Sequence, residues 1–328
     1  MIKTDSNLIY LLSENARTSL KDLSRYLRRS PQSLKYSISV LQKEGIIKDP
    51  FCIFDYSYFG LVLFRVYYRG CYVSDPEKER IIKELSSNPY IISIYELTGE
   101  FDLAVEFACP NPSKFNKELK KISSLIPTLN DYKIILNLVT YICPRRYLTK
   151  TESLNSLNTE KIVGGDRERE TFTKNEMIIM KNILLDPTIR FTQLAKKSEL
   201  NVKTAKSVLR GLIKRNIIKE FNYTIDTNKL GINKFRLFLR LHNLRLERES
   251  ELMKFILDTK EIVQLNKTVG DWDMELDIES KDKNKIRYII LQIRHQFKEI
   301  IQGFNLIEFY NYSKKSFLPF YLFKEEET

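Results

Sequence analysis

Two groups of side chains, set 171 residues apart, are of the types that contact nucleic acid. Gln32, Ser33 and Tyr36 follow Ser30-Pro31, and Lys203, Thr204 and Ser207 follow Asn201. Short amide and hydroxyl side chains hydrogen-bond to base edges in the major groove, while Lys and Arg take phosphates. Arg29, Lys35 and Lys48 lie in or near the first stretch, and Lys206, Arg210 and Lys219 in or near the second. Together with the capping residues Ser30 and Asn201, these positions form the expected contact set for double-stranded DNA.

Other chemistries lack parts. The chain has two histidines, His242 and His295, no GxGxxG and no P-loop, so neither a Ser-His-Asp triad nor a phosphate-cradling glycine loop is available. Cys52, Cys71, Cys109 and Cys143 are widely and irregularly spaced, with no CxxC pair. They read as buried reduced thiols rather than a zinc ribbon or disulfide framework. No catalytic residue, metal or cofactor is expected. Across 328 residues the net charge is +12, which favours a polyanionic partner. No apolar run reaches 18 residues, so no membrane helix is expected. Asp5, Ser6 and Asn7 interrupt the first twelve residues and argue against a secretory signal, which points to the cytoplasm.

The elements that must position the contact residues are helices with legible ends. Leu8, Ile9, Leu11 and Leu12 form the apolar stripe of a first helix. Ser19 caps a second, with Asp22 suited to its positive end. Ser30-Pro31 opens a third with a cap residue and a proline at the first helical position. Leu34, Ile38 and Leu41 mark its buried side, and Gly45 ends it in the left-handed conformation. Asn201 opens the equivalent helix further on, Ala205, Leu209 and Leu212 face its core, and Asn216 stands where Gly45 stood. This is the helix-turn-helix plan. Residues 1–50 carry 9 Lys/Arg against 5 Asp/Glu, and residues 172–220 carry 11 against 4, so the second module is expected to bind the more tightly if charge dominates.

The offset of 171 recurs along the chain. Gly45-Ile46-Ile47-Lys48 matches Asn216-Ile217-Ile218-Lys219, Asp55 and Gly60 match Asp226 and Gly231, and Gly99-Glu100-Phe101-Asp102 matches Gly270-Asp271-Trp272-Asp273. The expected class is α+β: two copies of a winged helix-turn-helix followed by a ferredoxin-like βαββαβ domain. The expected boundaries are winged modules at 1–53 and 173–224 and α/β domains at 54–148 and 225–328. Residues 149–172 read as a polar, flexible linker, able to span up to roughly 80 Å. The expected strands and helices of the first α/β domain are 61–68, 75–87, 91–98, 102–107, 112–125 and 132–141. In the second they are 234–241, 248–257, 262–269, 274–278, 283–297 and 303–310. The apolar run Phe317–Phe323 is expected to pack as a terminal strand or against a partner chain.

With these motifs in order, each copy resembles the Lrp/AsnC family of prokaryotic, especially archaeal, transcription regulators. The resemblance rests on Leu11 to Arg17, Ser19 to Leu23, Ser30-Pro31, Glu44 to Lys48, Gly60 and the two glycine-aspartate segments. It implies DNA binding by the winged helices. It also implies a RAM-type α/β domain that dimerises through its sheet, assembles into homo-oligomers and binds an amino acid or similar small effector. Gly99, Asp102, Gly270 and Asp273 match the effector motif, although their plainer reading is as hairpin turns. Tyr36-Ser37 and Ser207-Val208 depart from the arginines typical of the family's recognition helix. Arg29 stands where an apolar plug is usual, whereas Leu200 keeps it.

The unlike faces of the two third helices imply two unlike half-sites. Two alternatives stay open: a ligand-sensing or scaffold protein whose winged helices do not bind DNA, and an enzyme resembling the siroheme decarboxylases, which also pair two such units.

Overall fold

The computed structural model describes residues 5–243 and 245–323. The amphipathic stripes of the first fifty residues fold as α1 (Ser6–Glu14), α2 (Leu20–Leu27) and α3 (Pro31–Lys43). The Ser19 hydroxyl accepts from the Asp22 amide at 3.1 Å, and that of Ser30 accepts from the Ser33 amide at 3.2 Å. β1 (Ile47–Phe54) follows, then β2 (Val62–Tyr68), α4 (Asp75–Ser87), β3 (Ile91–Thr98), β4 (Leu103–Cys109), α5 (Pro112–Leu125) and β5 (Tyr132–Ile142). Short α6 (Glu152–Asn155) and β6 (Lys161–Gly164) lead to α7 (Lys174–Leu185), α8 (Phe191–Lys197), α9 (Val202–Lys214) and β7 (Ile218–Ile225). The chain ends with β8 (Asn233–Leu241), α10 (Leu246–Asp258), β9 (Ile262–Val269), β10 (Met274–Ser280), α11 (Lys283–Gln296) and β11 (Ile301–Lys315).

Eight of these strands close on themselves in the order β2-β4-β3-β11-β8-β10-β9-β5, with β5 also pairing β2 and β6 added to its far side. Every pairing is antiparallel. Closure follows from two long strands that serve both halves. β5 pairs with β2 over Tyr132–Asn137 and with β9 over Leu136–Ile142. β11 pairs with β8 over Ile301–Glu308 and with β3 over Glu308–Lys315. Closing the sheet leaves none of the eight as a whole edge strand, although each half of β11 pairs on one side only. Outward-facing apolar residues of each half pack under its own helices: Val66, Ile94, Val105 and Phe107 under α4 and α5, and Leu237, Leu239, Leu276 and Ile278 under α10 and α11. Part of the inward face is aromatic, with Tyr67, Tyr95, Phe101, Phe238 and Phe309. The rest is charged.

β1 and β7 form a second, two-stranded antiparallel sheet in which Phe51 lies opposite Asn222, its partner at an offset of 171. Each three-helix unit buries its core against the strand of the other. Phe51, Cys52, Ile53 and Phe54 join the core of α7, α8 and α9, while Tyr223 and Ile225 pack against that of α1, α2 and α3.

Three expectations change. Residues 149–172 are not a slack connection, because β6 pairs with β5 through Thr140↔Val163 and buries Val163 completely. Leu154 of α6 fills the core beneath α1. β11 continues past residue 310 to Lys315, because its second half has β3 to pair with. Finally, Phe317–Phe323 is not a strand, and most of it turns inward, with Phe320 left exposed. Its residues 320–323 form a 3-10 turn, and Phe317 and Leu318 pack into the winged-helix core, with the Tyr321 ring 4.3 Å from that of Tyr90.

Candidate nucleic-acid interface

The outer faces of α3 and α9 are where the contact residues gather. On α3, Gln32, Ser33, Lys35 and Tyr36 are exposed, and Tyr36 keeps 73% of its surface in solvent although aromatic. On α9, Lys203, Ser207 and Arg210 are exposed, and Thr204 and Lys206 are half-buried, the Lys206 ammonium lying 5.4 Å from the Phe191 ring centre. Leu34 and Leu41, and Ala205, Leu209 and Leu212, hold the opposite faces in the cores. The Asn201 side-chain oxygen accepts from the Thr204 amide at 2.8 Å and the Ser30 hydroxyl oxygen from the Ser33 amide, so both residues cap their helices while their own N–H and O–H donors stay at the exposed helix starts. The turns before the two helices are alike: Arg28 and Glu199, 171 residues apart, take φ of 51° and 54°.

Arg29 is not free to seek phosphate. Its guanidinium donates to Asp5 at 3.0 Å, Ser33 at 2.9 Å and Ser37 at 2.8 Å, tying α1 to α3. Leu200 instead packs against its module's apolar core.

Lys48 and Lys219 stand apart from the recognition faces, in contrast to expectation. Lys48 pairs with Asp226 at 2.9 Å and Lys219 with Asp55 at 3.2 Å. Each lysine lies at the β1–β7 seam and meets an aspartate of the other half, and backbone bonds repeat the reciprocity: Asp55 N–H donates to the Ile217 carbonyl and Asp226 N–H to that of Ile46. Burial lowers the Lys219 ammonium, with Asp55 opposing that shift. Burial tends to raise Asp226, but its hydrogen bond from Lys48 wins and holds the carboxyl below its usual range. The Asp55 carboxylate also accepts from the Gly164 amide at 2.9 Å and pairs with Arg167 at 3.1 Å, fastening β6 to the seam. The two three-helix units are thus tied to each other through the seam.

The glycine-aspartate turns sit where each half meets the long strand of the other. Gly99, at φ +127°, packs on Ile307 of β11, and Gly270, at φ +143°, on Ile134 and Ile135 of β5. A Cβ on Gly270 would come 3.1 Å from the Ile134 carbonyl oxygen. The carboxylates act locally: Asp102 accepts from the Cys71 amide at 3.3 Å and Asp273 from the Leu241 amide at 2.7 Å. Next to them the indole N–H of Trp272 is buried with no acceptor among the described residues.

Inside the barrel lies a set of charges the sequence reading passed over. Arg236 donates to Asp277 at 2.6 and 3.0 Å and to the hydroxyls of Tyr67 and Tyr95 at 2.8 and 2.6 Å. Arg65, 171 residues earlier, pairs with Glu106 at 2.6 Å and with Glu275. Lys234 leans on Asp277 and Glu279 at 3.4 and 3.6 Å, and Arg145 pairs with Glu279 at 3.0 Å. Burial alone would raise the Asp277 and Glu279 carboxyls, yet the guanidinium and ammonium groups around them hold both below the ordinary range. The signal was available: Arg65 and Glu106 interrupt otherwise apolar strands, and Arg236 and Asp277 stand at the equivalent positions 171 residues on.

Two three-helix units are joined by a reciprocal seam beside the closed barrel, and the first of them has the winged helix-turn-helix plan. A family model described as winged helix-turn-helix DNA-binding matches residues 3–48. An uncharacterised HTH-type transcriptional regulator of Pyrococcus furiosus is 30% identical over 123 residues, covering 37% of this chain and 78% of the relative. The HTH-type transcriptional regulator FL11 of Pyrococcus horikoshii is 25% identical over 126 residues, covering 37% and 79%. The chain belongs to the HTH-type transcriptional regulators. Its whole-length fold is similar to that of the siroheme decarboxylase NirDL, with a TM-score of 0.57 and 14% identity over 95% of this chain and 93% of the other. No helix among the described residues is long and apolar enough to cross a membrane.

Proposed function

We propose that the chain is a sequence-specific regulator of Lrp/AsnC type. In this reading it is a tandem of two winged helix-turn-helix and RAM-like units that act as a dimer within one polypeptide, with domain boundaries near those read from the sequence. The reciprocal seam carries this reading. Lys48 with Asp226 and Lys219 with Asp55 join two modules whose recognition faces differ, Gln32, Ser33 and Tyr36 against Lys203, Thr204 and Ser207. A homodimer offers two identical faces and suits a palindrome; this chain suits an asymmetric operator. Its partner is cytoplasmic double-stranded DNA. Gln32, Ser33, Tyr36, Thr204 and Ser207 read bases, and Lys35, Lys203, Lys206 and Arg210 meet phosphates. Arg29, Lys48 and Lys219 hold the modules in place.

The same reading includes a small effector beside Gly99, Asp102, Gly270 and Asp273, for which the unpartnered Trp272 N–H offers a donor, and further assembly of chains into homo-oligomers. The test is a DNA titration against fragments of the upstream region at two salt concentrations. Tight, fragment-selective binding that weakens steeply with salt is expected. Affinity no better than roughly 10⁻⁴ M at physiological salt would overturn the reading.

A second reading follows from the whole-chain likeness to NirDL, a siroheme decarboxylase. His242 lies just beyond β8 beside Asn243, and His295 is exposed near the end of α11, so neither faces the charged barrel interior. Siroheme added to the protein is expected to leave its absorbance spectrum unchanged; a perturbed spectrum would favour the enzyme.

A further inference from the structure

Lys315, at the end of β11, lies between the barrel and the β1–β7 seam. Its ammonium sits 4.1 Å from the ring centre of Phe51 in the seam and 4.6 Å from that of Tyr312 in the barrel. The side chain lines two cavities of about 30 Å³ each. One is bounded by Lys48, Arg145, Lys234, Asp226 and Glu279, the other by Arg65, Glu106, Tyr56 and Thr140.

The other cations around these spaces are already paired: Lys48 with Asp226, Arg145 with Glu279, Lys234 with Asp277 and Glu279, and Arg65 with Glu106 and Glu275. Lys315 has no carboxylate in ion-pair range among the described residues. Burial, reinforced by Arg145 and Lys234 and opposed by Glu279 and Glu106, pushes its ammonium down to about 7. Lys315 is half-buried, and a cation drawn out of water without a counter-charge tends to lose its proton or gain an anion. The space beside it would take about two water-sized groups.

We infer that the cavities around Lys315 form a binding site for a small monovalent anion, a halide or the head of a small carboxylate, held by the Lys315 ammonium in a surround where cations outnumber carboxylates. The rings of Phe51 and Tyr312 flank the ammonium at 4.1 and 4.6 Å and narrow its approach. The site is separate from the glycine-aspartate turns and does not depend on the DNA-binding reading. It touches Tyr223 to Thr227 of the seam as well as β11, so an occupant would bridge the barrel and the winged modules.

The test uses the full chain with lysines labelled at ¹³Cε, titrated by NMR at constant ionic strength in sulfate, chloride or formate. Lys315→Met serves to assign the signal. The expected result is a Lys315 midpoint that rises by at least one pH unit in chloride, formate or both, relative to sulfate, together with a rise in Tm that Lys315→Met lacks. A rise in formate alone assigns a carboxylate and a rise in chloride alone a halide. An unchanged midpoint in all three salts, or an equal Tm rise in Lys315→Met, would overturn the site. The wild-type titration remains decisive if the variant does not fold.

Discussion

Replacing Asp277 by Asn would test the claim that the barrel interior is held by paired charges. In the wild type Arg236 makes a two-pronged contact to Asp277, and Lys234 leans on the same carboxylate. Without it, Arg236 retains two tyrosine hydroxyls, and its nearest remaining carboxylate is Glu275 at 3.9 Å. Both partners are almost wholly buried, so the loss leaves an uncompensated charge, a change that typically costs about 3–5 kcal/mol. Removing both charges, with Asp277→Leu and Arg236→Met, spares most of that cost. Lys234 then keeps Glu279 at 3.6 Å, and the Tyr95 hydroxyl is left without its arginine donor. Urea unfolding of Asp277→Asn, of the singles Asp277→Leu and Arg236→Met, and of the double variant that combines these two would be measured at pH 7. A loss below about 1 kcal/mol for Asp277→Asn, or a double variant as costly as the two singles summed, would refute the reasoning.

The Asp277 and Glu279 carboxyls are held below their ordinary range. Their stabilisation is therefore fully present above the unfolded value near about 4 and is lost as pH falls through the folded one. Stability measured by urea unfolding should be level from neutral pH to about 5 and fall below that, with a shallower fall in Asp277→Asn; an identical fall in both proteins would count against the assignment. Arg210→Ala is expected to weaken DNA binding and reduce the salt slope by about one, whereas Arg29→Ala should lower stability and leave the slope unchanged. Gly270→Ala forces a side chain into φ +143° and against the Ile134 carbonyl, and should cost about 1–3 kcal/mol in the same unfolding assay, with a neutral outcome contradicting the close packing.

The local elements were legible because their signals are local. The helices Asp75–Ser87 and Pro112–Leu125 and the strands Ile91–Thr98 and Ile262–Val269 begin and end where capping residues, prolines and alternation place them. The αL positions behaved as read, Gly45 at φ 63° and Asn216 at φ 60°. Closure of the barrel was not legible, since β3 with β11 and β5 with β9 join through backbone groups that no side-chain pattern advertises. Residues 161–164 were hidden by their Ser- and Asn-rich surroundings, yet Ile162 and Val163 supply the alternation that the free side of β5 accepts. Lys48 and Lys219 were misplaced because a Lys after a Gly-Ile-Ile or Asn-Ile-Ile turn reads as surface charge. Their partners, Asp226 and Asp55, lie in the opposite half of the chain and become neighbours only when β1 meets β7.

The central claim, that one chain reads two unlike half-sites, is tested most directly by selecting binding sites from random DNA. The wild type would be compared with a variant whose second recognition face copies the first: Lys203→Gln, Thr204→Ser and Ser207→Tyr. The wild type is predicted to recover an asymmetric site, and the variant a site shifted towards a palindrome of its first half. Perfect palindromes from the wild type, or the same site from both proteins, would contradict it.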